Sequence, residues 1–184
     1  MALPQEVASR RCPGTPWAWS DATRLLGSIM EITLGDLTDP RVVDLLRYHL
    51  TSARAHTAPG SAHALEIAGL QSPDITFWTA WDRDTLLAVG ALKRLAEDHG
   101  EVKSMHTALS ARRKGIGSAM LRHIIACARS RGISRLSLET GSWDYFQPAI
   151  ALYRKHGFVE CQPFDDYVED PNSVFMTLDL GRRG

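Results

Sequence analysis

The sequence of 184 residues contains few cysteines, and they lie far apart. Cys12, Cys127 and Cys161 are odd in number and do not have the spacing of a disulfide framework or of a cysteine-based zinc site. Such usage is typical of proteins in reducing compartments. We therefore expect a cytoplasmic location and no metal.

Long apolar runs and an excess of charge are also absent. No run approaches the roughly 20 residues of a membrane span, and the early patch LLGSIM is too short and too late for a secretory signal. Lys plus Arg and Asp plus Glu both number 21, so the formal net charge is zero. We expect neither a membrane nor a nucleic-acid partner, and any charge-based function must be local.

The length favours one domain, because single domains commonly have roughly 100 to 200 residues. Residues 1–29 show no regular periodicity, whereas a strand-like pattern starts at Met30. We expect residues 1–29 to form an irregular N-terminal extension and residues 30–184 to form the domain. The alternative is an ordered extra turn that packs Trp17 and Trp19 on the domain.

Hydrophobic periodicity predicts strands and helices in mixed order. The predicted strands are 30–34, 75–82, 86–95, 100–107, 134–139, 158–164 and 174–180. The predicted helices are 40–57, 61–70, an amphipathic helix from Ile116 to a C-terminal cap at Gly132, and 146–156. Hairpins and crossovers together indicate an α+β fold with a mixed sheet.

Three cations stand beside two glycines where the amphipathic helix begins, in the stretch SARRKGIGSAML (110–121). A helix N-terminus carries about half a positive charge, so cations there are unfavourable unless an anion binds. Glycines expose backbone N–H groups, and the combination indicates a phosphate-binding loop. The loop lacks the Gly-Lys-Ser/Thr of a Walker motif, and Met120 stands where a dinucleotide fingerprint needs its third glycine. Both absences disfavour a nucleotide-binding domain.

The remaining pattern, Arg-x-x-Gly-x-Gly at 112–117, resembles the pyrophosphate-binding signature of the GNAT superfamily of acetyl-CoA-dependent N-acetyltransferases. The stretch PAIALYRKHGF (148–158) resembles the second signature of that family, at the expected distance downstream. The resemblance covers about residues 30–180. GALKRL, SLETGS and DPNSVFMTL are most similar to a bacterial branch often labelled indole-acetic-acid acetyltransferases.

The resemblance implies a central, mostly antiparallel sheet flanked by helices, with acetyl-CoA as co-substrate. Backbone N–H groups around Met105 and Thr107 would bind the cofactor and polarise its carbonyl. Tyr153 matches the tyrosine that protonates the leaving thiolate, and a buried helix aromatic is the alternative. The implied cofactor-binding residues are Met105, His106, Thr107, Arg112, Arg113, Lys114, Gly115, Ile116, Gly117 and Ser118.

Several residues could act as the general base. Some relatives keep a glutamate where Glu139 ends its strand, so Glu139 is our candidate, although a surface salt bridge or a cap would also explain it. Glu101 on the neighbouring strand competes, with a solvated strand end as its alternative. His106 could relay protons through water or be a satisfied core histidine.

The sequence has Phe146 where many relatives have an asparagine that contacts the acyl arm, and GSWDYFQP is about two residues longer.

The amine-binding residues are less visible. Trp78, Trp81, His63 and Tyr167 are candidates, with plain packing as the alternative for each. Lys93 and Lys103 could attract a carboxylate or form a salt-bridge ladder with Glu101.

These patterns together predict an N-acetyltransferase that acetylates a primary amine of a small molecule or peptide by direct attack, with a homodimer left open. The alternative is a non-catalytic acyl-CoA-binding or regulatory module.

Overall fold

The computed structural model describes residues 30–58 and 67–181, which form a seven-stranded sheet with helices on both faces. The strands are β1 (Met30–Leu34), β2 (Ile75–Asp82), β3 (Thr85–Arg94), β4 (His99–Thr107), β5 (Arg135–Gly141), β6 (Val159–Glu160) and β7 (Ser173–Asp179). The helices are α1 (Pro40–Ala55), α2 (Ile116–Ser130) and α3 (Gln147–Lys155), with 3-10 turns at Gly69–Gln71, Leu109–Ala111 and Asp144–Phe146. The predicted α+β class and mixed sheet are confirmed.

The sheet opens at its centre. Its strand order is β1-β2-β3-β4-β5-β7-β6, and β4 and β5 are its parallel neighbours. Their pairing runs only from His99 to Glu101 on β4 and from Arg135 to Ser137 on β5. Beyond it, β4 continues along β3 and β5 continues along β7. The two strands therefore separate and leave an opening between residues 102–107 and 138–141, which we call the wedge.

Two apolar cores cover the two faces of the sheet. Leu136 and Leu138 of β5 and Val102 of β4 pack under α2 and α3 on the first face. Val89 of β3 packs with Leu46 of α1 on the second face. Because side chains alternate along a strand, residues next to those of the first core belong to the face that carries α1.

Local chemistry sets the helix ends. Asp39 caps α1 by accepting a hydrogen bond of 2.9 Å from the backbone N–H of Arg41, and Pro40 occupies the first turn. Helix α2 ends before Gly132, whose φ of +77° allows the left-handed turn predicted for it.

The structure confirms most predicted elements and corrects one strand. The predicted strand 158–164 is wrong over most of its length, since only Val159–Glu160 pairs with β7 as a strand. Pro163 has no N–H to donate, and Phe164 turns to pack edge-on against Phe175.

Two predictions extend outside the described residues. The extension 1–29, with Trp17 and Trp19, lies there entirely. The predicted helix 61–70 lies there up to residue 66, and its last two residues enter the 3-10 turn Gly69–Gln71. None of the helices within residues 30–58 and 67–181 is long and apolar enough to cross a membrane.

Candidate active site

Strand β4 carries its polar residues on the α1 face of the wedge. Glu101 and Lys103 flank the buried Val102, so they lie on the face opposite α2. A bulge follows at Ser104, where φ is +52° and the register with β3 shifts. The extra residue brings His106 back to the α1 face, where its ring meets His49 of α1.

The N-terminus of α2 is built to receive an anion. No side chain caps it, and its first turn has no acidic residue. Gly115 at the cap has a φ of +78°, a left-handed conformation that an L side chain rarely adopts. Arg112, Arg113 and Lys114 precede it and are exposed. Backbone N–H groups, the helix dipole and three cations therefore converge here, and no side chain of the described residues caps the helix.

Gly117 in the first turn leaves room beside β4. A Cβ atom at this position would lie 3.2 Å from Thr107 Oγ1 and 3.4 Å from Leu152 Cδ2 of α3. The helix start, the end of β4 and α3 thus approach one another closely, and a side chain at residue 117 would require the Thr107 hydroxyl to shift. This geometry fits a phosphate-bearing chain that continues from the helix N-terminus along β4.

Three other predicted cofactor residues have side chains that are buried or half-buried, unlike the exposed cations of the loop. Ile116 is buried in the core, so only its backbone faces the loop. Ser118 is also buried, and its hydroxyl shares a hydrogen bond with His156 Nε2 at the end of α3. Met105 is half-buried and packs against the first core. These three can contribute backbone groups more readily than side chains.

The cations at this loop give a salt-dependent prediction. Arg112→Ala and Arg113→Ala should each weaken acetyl-CoA binding about 2- to 5-fold at low salt, the range of one exposed charge pair. The effect should shrink at high salt because exposed charges are screened. Calorimetric titration at two salt concentrations measures it.

Arg129→Ala is the matched control, since Arg129 is an exposed cation in the last turn of the same helix. It should leave the affinity unchanged. Tight, strongly salt-dependent binding of duplex DNA by the unmodified protein would contradict the assignment of these cations to phosphates of the cofactor.

Tyr153 lies on α3 with only 6% of its surface exposed. Its ring packs edge-on against Phe158 at 5.7 Å between centroids. Burial, and secondly the negative charge of Glu139, raise the pKa of the phenol above its usual value. The phenol therefore stays protonated at neutral pH, as a proton donor must.

The two candidate bases differ in their surroundings. Glu139 is half-buried near the end of β5 and accepts a hydrogen bond of 2.7 Å from Ser173 Oγ. Glu101 is 1% exposed, and its Oε1 accepts hydrogen bonds from Lys103 Nζ at 2.8 Å and from the Tyr167 hydroxyl at 2.7 Å. Glu101 is thus already paired with a cation, and Glu139 stays our candidate for the base.

The lysines form ion pairs with carboxylates. Lys103 pairs with Glu101, which agrees with the predicted salt-bridge ladder. Lys93 stands opposite Glu101 in the register of the strands, yet its ammonium lies 3.4 Å from Asp165 Oδ2. The ladder is therefore confirmed for Lys103 and replaced by a loop partner for Lys93.

Phe146 has a packing role that the sequence alone did not reveal. Its ring covers Gly141 at the end of β5, where a Cβ atom would lie 2.2 Å from the ring. The 3-10 turn Asp144–Phe146 lies within the GSWDYFQP connection before α3. Phe146 therefore packs this connection against the end of β5.

The predicted amine-binding aromatics do not come together. Trp78 is buried in the first core, 5.2 Å from the His123 ring of α2, so packing explains it. Trp81 stacks on the guanidinium of Arg41 at 4.4 Å. Tyr167 joins the Glu101 cluster, and His63 lies outside the described residues.

A cleft of about 410 Å³ lies between the end of α1 and the connection from β5 to α3. His56 and Tyr145 stack in its wall with 4.0 Å between ring centroids, beside Trp143 and Asp144. Sequence reasoning missed this cleft because His56 is far in the chain from the other lining residues, which are consecutive. Within the described ranges, no group of three or more His, Cys, Asp or Glu side chains is arranged to hold a metal ion.

Sequence reasoning also missed His49. Its Nδ1 lies 3.1 Å from Nδ1 of His106. Burial lowers the pKa of His49 to about 4. Burial, with smaller contributions from His49 and Arg112, lowers the pKa of His106 to about 3. Both rings are therefore neutral at physiological pH. No local motif around His49 signals this contact, because the two residues are 57 positions apart.

Comparison with known proteins gives relatives of one kind. The chain is 52% identical over 151 residues to the uncharacterized N-acetyltransferase YsnE of Bacillus subtilis, covering 82% of this chain and 100% of that protein. It is 43% identical over 121 residues to an IAA acetyltransferase of Azospirillum brasilense, covering 65% of this chain and 78% of that protein.

Solved structures share the fold. A Klebsiella pneumoniae protein described as an acyl-CoA N-acyltransferase superposes with a TM-score of 0.68 at 25% identity, covering 83% of this chain and 99% of its own. A Bacillus subtilis acetyltransferase in complex with CoA gives 0.62 at 22% identity, with 82% and 99% covered. The acetyltransferase (GNAT) family pattern matches residues 42–158. This chain belongs to the acetyltransferase (GNAT) family.

Proposed function

We propose that this chain transfers the acetyl group of acetyl-CoA to a primary amine of a small molecule or peptide by direct attack. The observation that carries the proposal is the uncapped, cation-rich N-terminus of α2 at the wedge. Protonated Tyr153 and Glu139 supply the acid and base that this chemistry requires.

The wedge supplies the binding site of the co-substrate. Pyrophosphate would bind at Arg112, Arg113, Lys114 and the N–H groups of residues 115–118. Beyond Glu101, β4 is paired on the β3 side and has lost β5 on the other. Its backbone edge at Met105, His106 and Thr107 can bind the extended acyl arm as an added strand would, although the Thr107 carbonyl also accepts a hydrogen bond of 3.4 Å from Arg112 Nε.

Two groups then divide the acid and base work. Tyr153 donates its proton to the departing thiolate, for which it must be protonated when the thiolate leaves. Glu139 takes a proton from the amine nitrogen as that nitrogen attacks the carbonyl. Its charge acts on Tyr153, which supports their action at one reaction centre. The proton that Glu139 accepts can return to Tyr153 after each cycle.

The composition of the chain bears on its substrates and partners. Zero net charge disfavours polyanionic substrates and nucleic-acid partners. Cytoplasmic location, action without a metal ion and a homodimer stay predictions.

A screen of amines tests the function. The protein is mixed with acetyl-CoA and amino acids, polyamines, aminoglycosides or peptides with free N-termini, and free thiol is measured. Thiol release that depends on an amine and yields its acetylated product is expected. Tight acetyl-CoA binding without transfer to any amine would instead support a non-catalytic binding module.

Glu139→Gln tests the base. The unmodified enzyme should gain rate with rising pH as its base loses a proton, and the variant should lose this part of the profile with a lower kcat. The pH dependence of kcat at saturating substrates measures it. Ser173→Ala is a useful control, because it removes the hydrogen bond to Glu139 and keeps the carboxylate, so a pH-dependent part of the profile should remain. A Glu139→Gln profile that matches the unmodified enzyme would show that another group is the base.

A further inference from the structure

Acetyl transfer to an ammonium leaves one proton without an assigned route. This inference rests on the proposed function, in which nitrogen starts with three protons and ends as an amide with one. One of the two lost protons replaces the acetyl group on sulfur. The other must reach solvent before the attack, because an ammonium with a pKa of about 10 has no lone pair to attack with.

The amine must approach from the α1 face of the wedge. The anion-binding helix start, Leu152 and Tyr153 occupy the opposite face, where the cofactor binds. On the α1 face, His106 lies one residue from Met105 and Thr107, whose backbone borders the acyl arm. A group on this face next to the acyl arm lies where the ammonium proton must be removed.

His106 is 8% exposed, and its Nε2 is buried with no hydrogen-bond partner among the residues that the structure describes. Its Nδ1 lies 3.1 Å from Nδ1 of His49, which is partly exposed. Tyr48 packs edge-on against the His106 ring at 5.6 Å. The His106 end of the pair is therefore buried on the strand that borders the wedge, and the His49 ring at the other end is partly exposed.

The short contact restricts the tautomers. Two neutral imidazoles can share an Nδ1–Nδ1 hydrogen bond only if one nitrogen carries the proton and the other does not. If His106 carries it, His49 holds its own proton on Nε2 and the buried Nε2 of His106 is a bare lone pair. The reverse arrangement would bury an N–H with no acceptor, which is the costlier choice.

We propose that His106 and His49 form a proton relay that carries the first proton of the ammonium from the wedge to solvent. His106 Nε2 forms a bond to the ammonium proton as the His106 Nδ1–H bond breaks. That proton passes to His49 Nδ1, while the His49 Nε2–H bond releases its proton to water. Solvent exchange after product release restores the starting tautomers.

The electrostatics of the pair favour a concerted transfer. Among the described residues, Arg112 is the charged group whose field reaches His106, and Tyr48 and His49 are its titratable neighbours on α1. Burial disfavours an imidazolium on either ring. Neither histidine therefore stores the proton, and each accepts one as it gives one up.

A second buried histidine, His99, differs from His106 in the partners of its ring nitrogens. His99, on the same strand, is also buried with a lowered pKa, chiefly through burial. Its Nε2 bonds with Ser137 Oγ at 2.8 Å, and its Nδ1 with Arg135 at 3.0 Å. His99 is fully satisfied and serves packing, whereas His106 keeps one nitrogen free.

Nitrogen NMR of the protein labelled with ¹⁵N-histidine tests the tautomers without any substrate. We expect His106 to carry its proton on Nδ1 and His49 on Nε2, with both rings neutral at pH 6. A proton on Nε2 of His106, or a charged ring at that pH, would overturn the proposal.

Kinetics of His49→Gln test the transfer with an amine identified by the screen. Glutamine can hydrogen-bond to His106 but cannot pass a proton on. We expect kcat to fall about 10- to 100-fold well below the pKa of the amine. The loss should shrink as pH approaches that pKa, because the amine then arrives neutral. Affinity for acetyl-CoA should not change.

His99→Gln is the matched control, and any effect it has should be the same at every pH. If the loss in His49→Gln is also independent of pH, or absent, the pair is structural and the proposal fails. That outcome differs from failure of the proposed function, in which the unmodified protein transfers acetyl to no amine at all.

Discussion

Tyr153→Phe is expected to lower kcat about 100- to 10,000-fold, the usual contribution of one acid–base group. The substitution removes the phenolic proton and keeps the ring, which is buried and packs edge-on against Phe158. A thiolate that leaves without a proton donor is a poorer leaving group. The substitution therefore raises the free energy of the transition state and leaves that of the bound ground state unchanged. Affinity for acetyl-CoA and the melting temperature should hardly move.

Steady-state kinetics with the best amine from the screen, together with calorimetric binding of acetyl-CoA, measure both quantities. Phe158→Leu is a suitable control, because it disturbs the packing of the Tyr153 ring and leaves the hydroxyl in place. It should lower the melting temperature, and it should lower kcat much less than Tyr153→Phe does. Turnover by Tyr153→Phe at the unmodified rate, with chemistry shown to be rate-limiting, would mean that water or the amine supplies the proton.

Local patterns in the sequence predicted the elements that carry the site. The limits of β1 and β2 match the predicted strands 30–34 and 75–82, because apolar residues and turn residues mark both ends. The loop before α2 was predicted from charge and glycine placement, which depend on neighbours in the chain. In that loop Gly115 has a left-handed φ of +78°, and after α2 Gly132 has one of +77°, as its predicted role in the C-terminal cap requires.

Contacts between distant residues could not be predicted in the same way. The Tyr167 hydroxyl meets Glu101 from 66 positions away, and His106 meets His49 only because the bulge at Ser104 turns its ring toward α1. A bulge that depends on the pairing of two strands leaves no periodic signal in one of them. Sequence reasoning therefore offered His106 as a lone relay and had no basis for naming its partner.

The proposed chemistry of the wedge depends on the loop before α2 binding the cofactor phosphates. Gly117→Glu should weaken acetyl-CoA binding about 100- to 1,000-fold, since two like charges about 4 Å apart near a protein surface repel by roughly 4 kcal/mol. The added carboxylate would stand where the first turn of α2 faces Thr107 and Leu152. It would meet the pyrophosphate and also offset the helix dipole that attracts it.

Two further substitutions at the same position separate charge from bulk. Gly117→Gln adds the same volume without charge and should lose less affinity than Gly117→Glu. Gly117→Ala should lose least, because its Cβ needs the Thr107 hydroxyl to move only slightly from a 3.2 Å contact. Calorimetric titration of the three variants, each checked for an unchanged melting profile, gives the ranking. Equal affinities for Glu, Gln and Gly at position 117 would place the cofactor phosphates elsewhere, and the cations before α2 would then need another anion.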